Sequence, residues 1–238
     1  IQRRCDGFVV LVVAARAVDA AVLGAGVMGG GIAQLFAAKD IRVRMKDIQW
    51  DAVAKGYKAA EKVFRKKLER RKMTAFEFEN AMERIEGTTN FSGFKQLDLV
   101  VEAVVENMDV KKKVLAEVDT LVNADCVLAT NTSSLSVSEM AKAMKNPKRF
   151  VGMHFFNPVD KMPLVEVIRG AETSDEAVAT VFSLSKKLGK TPIVVKDSPG
   201  FVVNRILCPY LNEAATLMTE GVPITRIDEI AEKFGMPM

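Results

Sequence analysis

The sequence contains 238 residues, which is enough for one large domain or for one domain and part of another. Its hydrophobic fraction of 49% and charged fraction of 27% are typical of a globular protein and exclude a disordered chain. The net charge of +4 does not by itself indicate a nucleic-acid-binding protein. Cys5, Cys126 and Cys208 are far apart, so they predict neither a disulfide framework nor a metal site and favour a reducing compartment.

A glycine-rich loop follows the first predicted strand. We interpret residues 1–19 as a linker or an atypical N-terminal segment that leads into a strand at residues 20–23. Gly24, Gly26 and Gly29 come next, and apolar residues then recur at helical spacing. In a strand–turn–helix context this spacing is typical of a dinucleotide-binding loop, where the helix N-terminus meets the pyrophosphate. The alternative is a glycine turn that binds nothing.

The second predicted strand, residues 41–47, ends on an acidic residue. Asp47 lies 23 residues after Gly24, where a carboxylate would bind the adenosine ribose hydroxyls. A carboxylate at this position repels a 2′-phosphate, so we predict NAD rather than NADP. Lys46 and Arg44 are close enough in sequence to oppose this interpretation.

The helix predicted over residues 51–72 is strongly basic. The simplest interpretation is a solvated helix face, and the alternative is a landing surface for a phosphorylated substrate. Nucleic acid is disfavoured because no aromatic platform is interleaved with the basic residues. Thr74 and Glu77 then predict a capping box for a helix over residues 75–85.

The rest of the chain alternates apolar runs of strand length with amphipathic segments. This alternation predicts an α/β fold, with a Rossmann-type, mostly parallel sheet and helices on both faces. Further strands are predicted at residues 87–90, 97–105, 126–130, 150–154, 164–168 and 192–196, and helices at 109–123, around 140–144 and at 174–188.

The alternation stops at residues 198–200, where we place a domain boundary. Helices are predicted at residues 201–220 and 225–234. We therefore assign residues 20–199 to a nucleotide-binding domain and residues 200–238 to the start of an all-helical domain, cut short at its end.

Polar residues fall at or just after the ends of the predicted strands, where ligands bind in open α/β sheets. They are Asp47, Glu106, Ser133, His154 and Asn157.

His154 is the only histidine, and imidazole suits a general base because it titrates near neutral pH. The alternative is a structural histidine. Glu166 lies in an apolar strand, where an unpaired carboxylate would be costly. A pair between the two residues explains both, although Arg169 or a backbone donor is an alternative partner for Glu166.

Six motifs occur in order along the chain: Gly24-Ala-Gly-Val-Met-Gly-Gly-Gly-Ile-Ala, Val101-Glu-Ala-Val-Val-Glu-Asn107, Asn131-Thr-Ser-Ser, Met153-His-Phe-Phe-Asn-Pro158, Pro163-Leu-Val-Glu-Val-Ile168 and Asp197-Ser-Pro-Gly-Phe-Val-Val-Asn-Arg205. Together they resemble the L-3-hydroxyacyl-CoA dehydrogenase family, and most of all the dehydrogenase part of multifunctional fatty-acid β-oxidation enzymes. The resemblance covers residues 20–238. Residues 1–19 do not resemble the helical linker that precedes this domain in the multifunctional enzymes.

The resemblance implies NAD-dependent oxidation of (S)-3-hydroxyacyl-CoA to 3-ketoacyl-CoA. It implies that His154 is the general base and Glu166 its partner, and that Ser133 and Asn204 bond the 3-oxygen or thioester region of the substrate. It also implies that Lys67 meets the CoA phosphates. The residues implied for NAD are Gly24, Gly26, Val27, Met28, Gly29, Asp47, Glu106, Lys111, Ser133 and Asn157.

The family's helical domain closes the substrate cleft and carries much of the dimer contact. The resemblance therefore implies a homodimer or a multienzyme complex formed through that domain, without nucleic acid or a membrane span. It implies the cytoplasm in a bacterium, and otherwise the mitochondrial matrix or a peroxisome. Two alternatives stay open: an NAD-binding module without turnover of its own, either a piece or a relative such as a lens crystallin, and a dehydrogenase of free hydroxy acids that does not use CoA.

Overall fold

A computed structural model describes residues 19–236. Its strands are β1 (Asp19–Leu23), β2 (Arg42–Lys46), β3 (Ile85–Thr88), β4 (Leu99–Glu102), β5 (Val127–Thr130), β6 (Phe150–Phe155), β7 (Leu164–Arg169) and β8 (Thr191–Lys196). Its α-helices are α1 (Val27–Ala37), α2 (Trp50–Glu69), α3 (Ala75–Glu83), α4 (Met108–Asp119), α5 (Val137–Ala141), α6 (Asp175–Lys187), α7 (Val203–Thr219) and α8 (Ile224–Phe234). Short 3₁₀ helices lie at Phe94–Gln96 and Pro147–Arg149.

The strands form one sheet in the order β3-β2-β1-β4-β5-β6-β7-β8. Neighbouring strands are parallel except β6 and β7, which are antiparallel. Side chains of β1 alternate between two buried clusters, with Val22 in one and Leu23 in the other. Helices α1, α2 and α6 cover the first cluster, whereas α4 and α5 cover the second. The predicted α/β fold with helices on both faces is confirmed.

The chain reverses its direction of winding between β1 and β4, which are adjacent in the sheet. A reversal of strand order opens a crevice beyond the carboxyl ends of the two strands, and ligands bind in such crevices. The glycine loop follows β1 and Glu106 follows β4, so both lie at this crevice.

Two predicted boundaries near residue 85 are wrong. The helix expected over residues 75–85 ends at Glu83, because Ile85 is buried and pairs with Val43 of β2. Strand β3 therefore begins two residues before the predicted residue 87. The predicted capping box is present, since Glu77 N–H donates to the Thr74 hydroxyl at 3.2 Å and Thr74 N–H donates to the Glu77 carboxylate at 2.7 Å.

The predicted start of the first C-terminal helix is also wrong. Gly200 and Phe201 have φ angles of +72° and +50°, which are incompatible with a right-handed helix, so α7 begins at Val203. Neither α7 nor α8 contains a buried side chain. Within residues 19–236, no helix combines the length and apolarity needed to cross a membrane.

The N-terminal prediction lies almost entirely outside the described residues. Residues 1–18, which include Cys5, are not described, and Asp19 is already the first residue of β1. Cys126 and Cys208 are both free thiols, the first buried and the second exposed.

Candidate active site

The fold itself requires two glycines of the loop. Gly24 has a φ of +93°, and a Cβ there would lie 2.5 Å from the carbonyl oxygen of Ala103. A Cβ on Gly29 would lie 1.8 Å from the carbonyl oxygen of Gly24. Both contacts are with backbone, which cannot move aside, so these glycines allow the tight turn and the close packing of α1 on β1.

Gly26 is different, because no contact among the described residues requires a glycine there. Its φ of −69° is ordinary, and a Cβ would meet no atom of residues 19–236 within 4 Å. The open space lies at the start of α1, whose N-cap supplies no side chain and whose first turn carries no acid. Free helix N–H groups and the helix dipole favour an anion at this position. The geometry fits the pyrophosphate of a dinucleotide.

Asp47 is tied to the glycine loop. One carboxylate oxygen accepts a hydrogen bond from Ala25 N–H at 2.7 Å, and the other accepts from Ile48 N–H at 2.7 Å. Each carboxylate oxygen can accept a second hydrogen bond, so the carboxylate can still receive ribose hydroxyls.

The two basic residues that opposed the NAD prediction have other partners. Arg44 forms an ion pair with Glu86 at 3.2 Å and donates to the carbonyl oxygen of Ser92. The Lys46 ammonium lies over the Phe91 ring, 4.3 Å from its centroid. Both side chains therefore contact other groups of the protein, which reduces their tendency to favour a 2′-phosphate beside Asp47.

A cavity of about 350 Å³ opens at the crevice. It brings together residues from the starts of α1 and α7 and from the segments that follow β4, β5 and β6. The predicted site residues that line it are Met28, Glu106, Ser133, His154, Asn157 and Asn204. Lys67 does not line the cavity and lies in the last turn of α2.

His154 and Glu166 face each other across the antiparallel pair of strands β6 and β7. The Nδ1 atom of His154 lies 2.8 Å from a carboxylate oxygen of Glu166. Glu166 is fully buried, and His154 is nearly so. The alternative partner, Arg169, forms an ion pair with Asp175 instead.

The second carboxylate oxygen of Glu166 accepts two backbone hydrogen bonds from the first turn of α7. Val202 N–H donates at 2.9 Å and Val203 N–H at 3.0 Å. Burial alone would raise the pKa of Glu166, but the hydrogen bonds from His154, Val203 and Val202 hold it below its usual value. An ionised Glu166 can only accept from Nδ1–H, which leaves Nε2 of His154 as the proton acceptor.

Glu106 is fixed by the segment that follows β5. One of its carboxylate oxygens accepts hydrogen bonds from the Thr132 hydroxyl at 2.6 Å and from Ser133 N–H at 2.8 Å, with the Ser133 hydroxyl at 3.1 Å. Burial would raise the pKa of Glu106, but these hydrogen bonds and the charge of Lys111 hold it below the usual value. The cavity therefore contains a fixed negative charge beside Ser133.

Lys111 lies behind Glu106 rather than in the cavity. Its side chain is fully buried, with Nζ 2.8 Å from the carboxylate of Glu102 and 3.3 Å from that of Glu106. The geometry fits a role in holding Glu106. Glu102 also accepts from the Thr130 hydroxyl at 2.6 Å and was not predicted. The sequence feature that could have indicated Glu102 is its acidic side chain within an apolar predicted strand.

Two further contacts position the rim of the cavity. The Asn204 amide donates to the carbonyl oxygen of Ser133 at 2.9 Å, which links α7 to the segment after β5. The Lys190 ammonium donates to the carbonyl oxygens of Val159 and Met162, which anchors the loop that carries Asn157. No sequence pattern indicates a role for Lys190.

A larger cavity, of about 610 Å³, lies at the amino ends of β1 and β2. Its walls carry mixed charges, including Asp40, Arg42 and Arg84, but none of the predicted site residues. The smaller cavity is the better candidate because it contains the imidazole and the helix N-terminus. Among residues 19–236, no cluster of acids, histidines and cysteines could hold a metal ion.

Comparison with known proteins gives matches on both sides of residue 199. Residues 19–198 match the family model described as "3-hydroxyacyl-CoA dehydrogenase, NAD binding domain", and residues 200–238 match "3-hydroxyacyl-CoA dehydrogenase, C-terminal domain". The chain is 53% identical over 220 residues to the fatty acid oxidation complex subunit alpha of Pseudomonas syringae pv. syringae. That match covers 92% of this chain but only 30% of the relative.

Two solved structures are similar in both fold and sequence. The (S)-3-hydroxybutyryl-CoA dehydrogenase of Ralstonia eutropha is 44% identical with a TM-score of 0.87, over 91% of this chain and 77% of that one. The 3-hydroxybutyryl-CoA dehydrogenase of Escherichia coli K12 is 35% identical with a TM-score of 0.84, over 88% of this chain and 44% of that one.

A pair of glycine substitutions separates the fold from the binding site. We expect Gly29→Ala to destabilise the protein by about 3 kcal/mol, because its Cβ would overlap backbone. Gly26→Ala should cost only about 1 kcal/mol, because alanine is a poorer N-cap than glycine, but it should weaken NAD binding by about tenfold or more. Thermal denaturation and isothermal titration with NAD measure the two effects. Unchanged NAD affinity in Gly26→Ala would contradict the assigned pyrophosphate position.

The substitution Glu166→Gln tests the tautomer of His154. A carboxylate accepts only from Nδ1–H, whereas an amide can also donate to an unprotonated Nδ1. We expect ¹⁵N NMR of the single imidazole to show the Nδ1–H form in the parent and to lose about half of it or more in the variant. Glu139→Gln is the control, because Glu139 pairs with Lys112 and Lys142 at the surface. An unchanged tautomer in Glu166→Gln would show that this contact does not orient the imidazole.

Proposed function

Because the chain belongs to the 3-hydroxyacyl-CoA dehydrogenase family, we propose that it oxidises (S)-3-hydroxyacyl-CoA to 3-ketoacyl-CoA in fatty-acid β-oxidation. NAD is the cofactor of the matched domain and, when bound, accepts the hydride. The observation that carries the proposal is the His154–Glu166 pair, which opens onto the same cavity as the start of α1. The chain spans less than a third of the curated relative, so the activity of the whole protein is part of this proposal.

His154 acts as the general base. Glu166 holds the proton on Nδ1, so Nε2 is free to take the proton of the substrate hydroxyl. The imidazole then becomes positively charged next to a buried, ionised carboxylate. This interaction stabilises the charge that develops in the transition state, as the third member of a catalytic triad does.

Ser133 and Asn204 position the oxygen atoms of the substrate. Both line the cavity with His154, and the Asn204 amide is fixed by its hydrogen bond to Ser133. Only one of the two N–H groups of the amide is needed for that bond, so the other is available to a substrate oxygen. Glu106 accepts from the Ser133 hydroxyl and so holds its orientation.

The CoA group is proposed to approach the basic helix α2. Lys66 and Lys67 occupy its last turn, and their charges suit phosphate groups. Lys67 is the residue that the family resemblance implies.

The helical segment supports the proposed assembly. Helices α7 and α8 carry large exposed apolar side chains, including Ile206, Leu211, Ile230 and Phe234. Apolar faces of this kind mark interaction surfaces. Since the Pseudomonas relative is named as a subunit of a complex, we propose a homodimer or a multienzyme complex formed through this segment, located in the cytoplasm if the chain is bacterial.

Substitution of the base gives the main test. We expect His154→Gln to lower kcat by about 10³-fold or more, the range for loss of a general base and its oriented proton transfer. NAD affinity should change by less than about twofold, because Glu106 and the glycine loop are untouched. NADH formation from (S)-3-hydroxybutyryl-CoA measures turnover, and calorimetry measures NAD binding. Unchanged turnover would remove His154 from the mechanism.

The same assay separates the alternatives. NAD binding without NADH formation by the 238-residue chain would favour a binding module. Oxidation of free 3-hydroxybutyrate as fast as of its CoA ester, without competition by free CoA, would favour a hydroxy-acid dehydrogenase. NADH formation from the CoA ester, inhibited by free CoA, would support the proposed function over both alternatives.

A further inference from the structure

The junction between β8 and α7 has an unusual backbone. Phe201 has a φ of +50°, in the left-handed region that non-glycine residues rarely adopt, and it follows Gly200 at +72°. The turn is closed by a hydrogen bond from Phe201 N–H to the carbonyl oxygen of Ser198 at 2.8 Å. Strained residues of this kind persist only where their surroundings fix them, and they cluster at functional sites.

The side chain of Phe201 supplies that fixation. It is 2% exposed and belongs to the buried cluster formed with Ile168 and Val195 of strands β7 and β8. Its ring centroid lies 5.9 Å from that of the His154 imidazole. The Phe156 ring lies near the same imidazole, with centroids 4.4 Å apart, so two aromatic rings pack beside the base.

The backbone that leaves Phe201 points its N–H groups at Glu166. Val202 and Val203, the two residues that follow, both donate to the same carboxylate oxygen. Consecutive N–H groups beside a left-handed residue form a concave anion-binding arrangement. The other oxygen of that carboxylate holds Nδ1 of His154. A right-handed Phe201 would rotate the two N–H groups away from Glu166.

We propose that Phe201 is a positioning residue of the acid–base pair: its left-handed backbone seats the first turn of α7 on Glu166, and its ring closes one side of the imidazole. The proposal rests on the proposed function of His154 as the base. It predicts that the start of the helical segment is part of the proton-transfer machinery.

Among the described residues that surround the His154 imidazole, few carry a charge. Glu166 faces the imidazole from β7, and Glu106 lies across the cavity. The loop after β6 contributes uncharged Phe156 and Asn157, and α7 contributes uncharged Asn204. A change at Phe201 therefore reaches His154 through packing and through Glu166.

The test uses the single imidazole of the 238-residue chain as a reporter, so it needs no turnover. We expect Phe201→Leu to speed solvent exchange of the His154 Nδ1 proton about threefold and Phe201→Ala about tenfold, as the local opening becomes easier. The Val202 and Val203 amides should follow the same order. Proton and ¹⁵N NMR measure all three groups. If Phe201→Ala fails to fold, the exchange rates of the Phe201→Leu variant alone test the proposal.

Phe64→Leu is the matched control, because Phe64 is equally buried but lies in α2, in the other cluster. We expect it to lower the melting temperature while the His154 signals stay as in the parent. Equal signals in Phe201→Leu and the parent, or an equal disturbance in Phe64→Leu, would overturn the proposal. An active His154→Gln would instead overturn the proposed function and leave this NMR result intact.

Discussion

The carboxylate of Glu166 is the constraint on which the arrangement of the candidate site depends. It has no contact with solvent, so each of its oxygens must find donors inside the protein. One donor is the imidazole of His154, and the other two are backbone groups of Val202 and Val203. If any of these contacts is lost, a buried negative charge loses part of its compensation. Glu166 therefore connects the start of α7 to the sheet through the same carboxylate that orients the His154 imidazole.

The antiparallel pairing of β6 and β7 explains how Glu166 reaches this position. His154 lies near the carboxyl end of β6. If β7 ran parallel to β6, β7 would begin at the opposite end of the strands, and its first residues would lie far from His154. The reversal places Glu166 directly opposite His154 in the register. Cross-strand neighbours on one face lie about 5 Å apart at Cβ, which suits a direct hydrogen bond. The single departure from parallel pairing in the described sheet thus brings His154 and Glu166 together.

Much of this arrangement can be predicted from sequence, because the physical rules act on side-chain types. Gly24 and Asp47 stand at strand ends, and the cost of a buried acid predicts a partner for Glu166. The features of the site that the sequence does not predict depend on backbone conformation and on how the elements pack. The order of side-chain types indicates neither the left-handed backbone of Phe201 nor the hydrogen bond that the Val202 N–H donates to Glu166. The sequence pattern therefore predicts that α7 begins two residues too early. Lys111 was implied as a cofactor ligand, but its complete burial against Glu102 depends on how α4 packs on β4.

The charges around the cavity also divide into those that change and those that stay fixed. Glu106 and Glu166 each accept several hydrogen bonds, which lower their pKa values and keep them ionised at neutral pH. Lys111 is locked between two acids, and breaking such a buried pair is costly, on the order of 3–5 kcal/mol. In the proposed mechanism, His154 is the side chain lining the cavity that takes up a proton during turnover. In that mechanism, the fixed acids favour the positive charge that His154 gains, and the contact of Nδ1 with Glu166 leaves Nε2 to take the proton from the substrate.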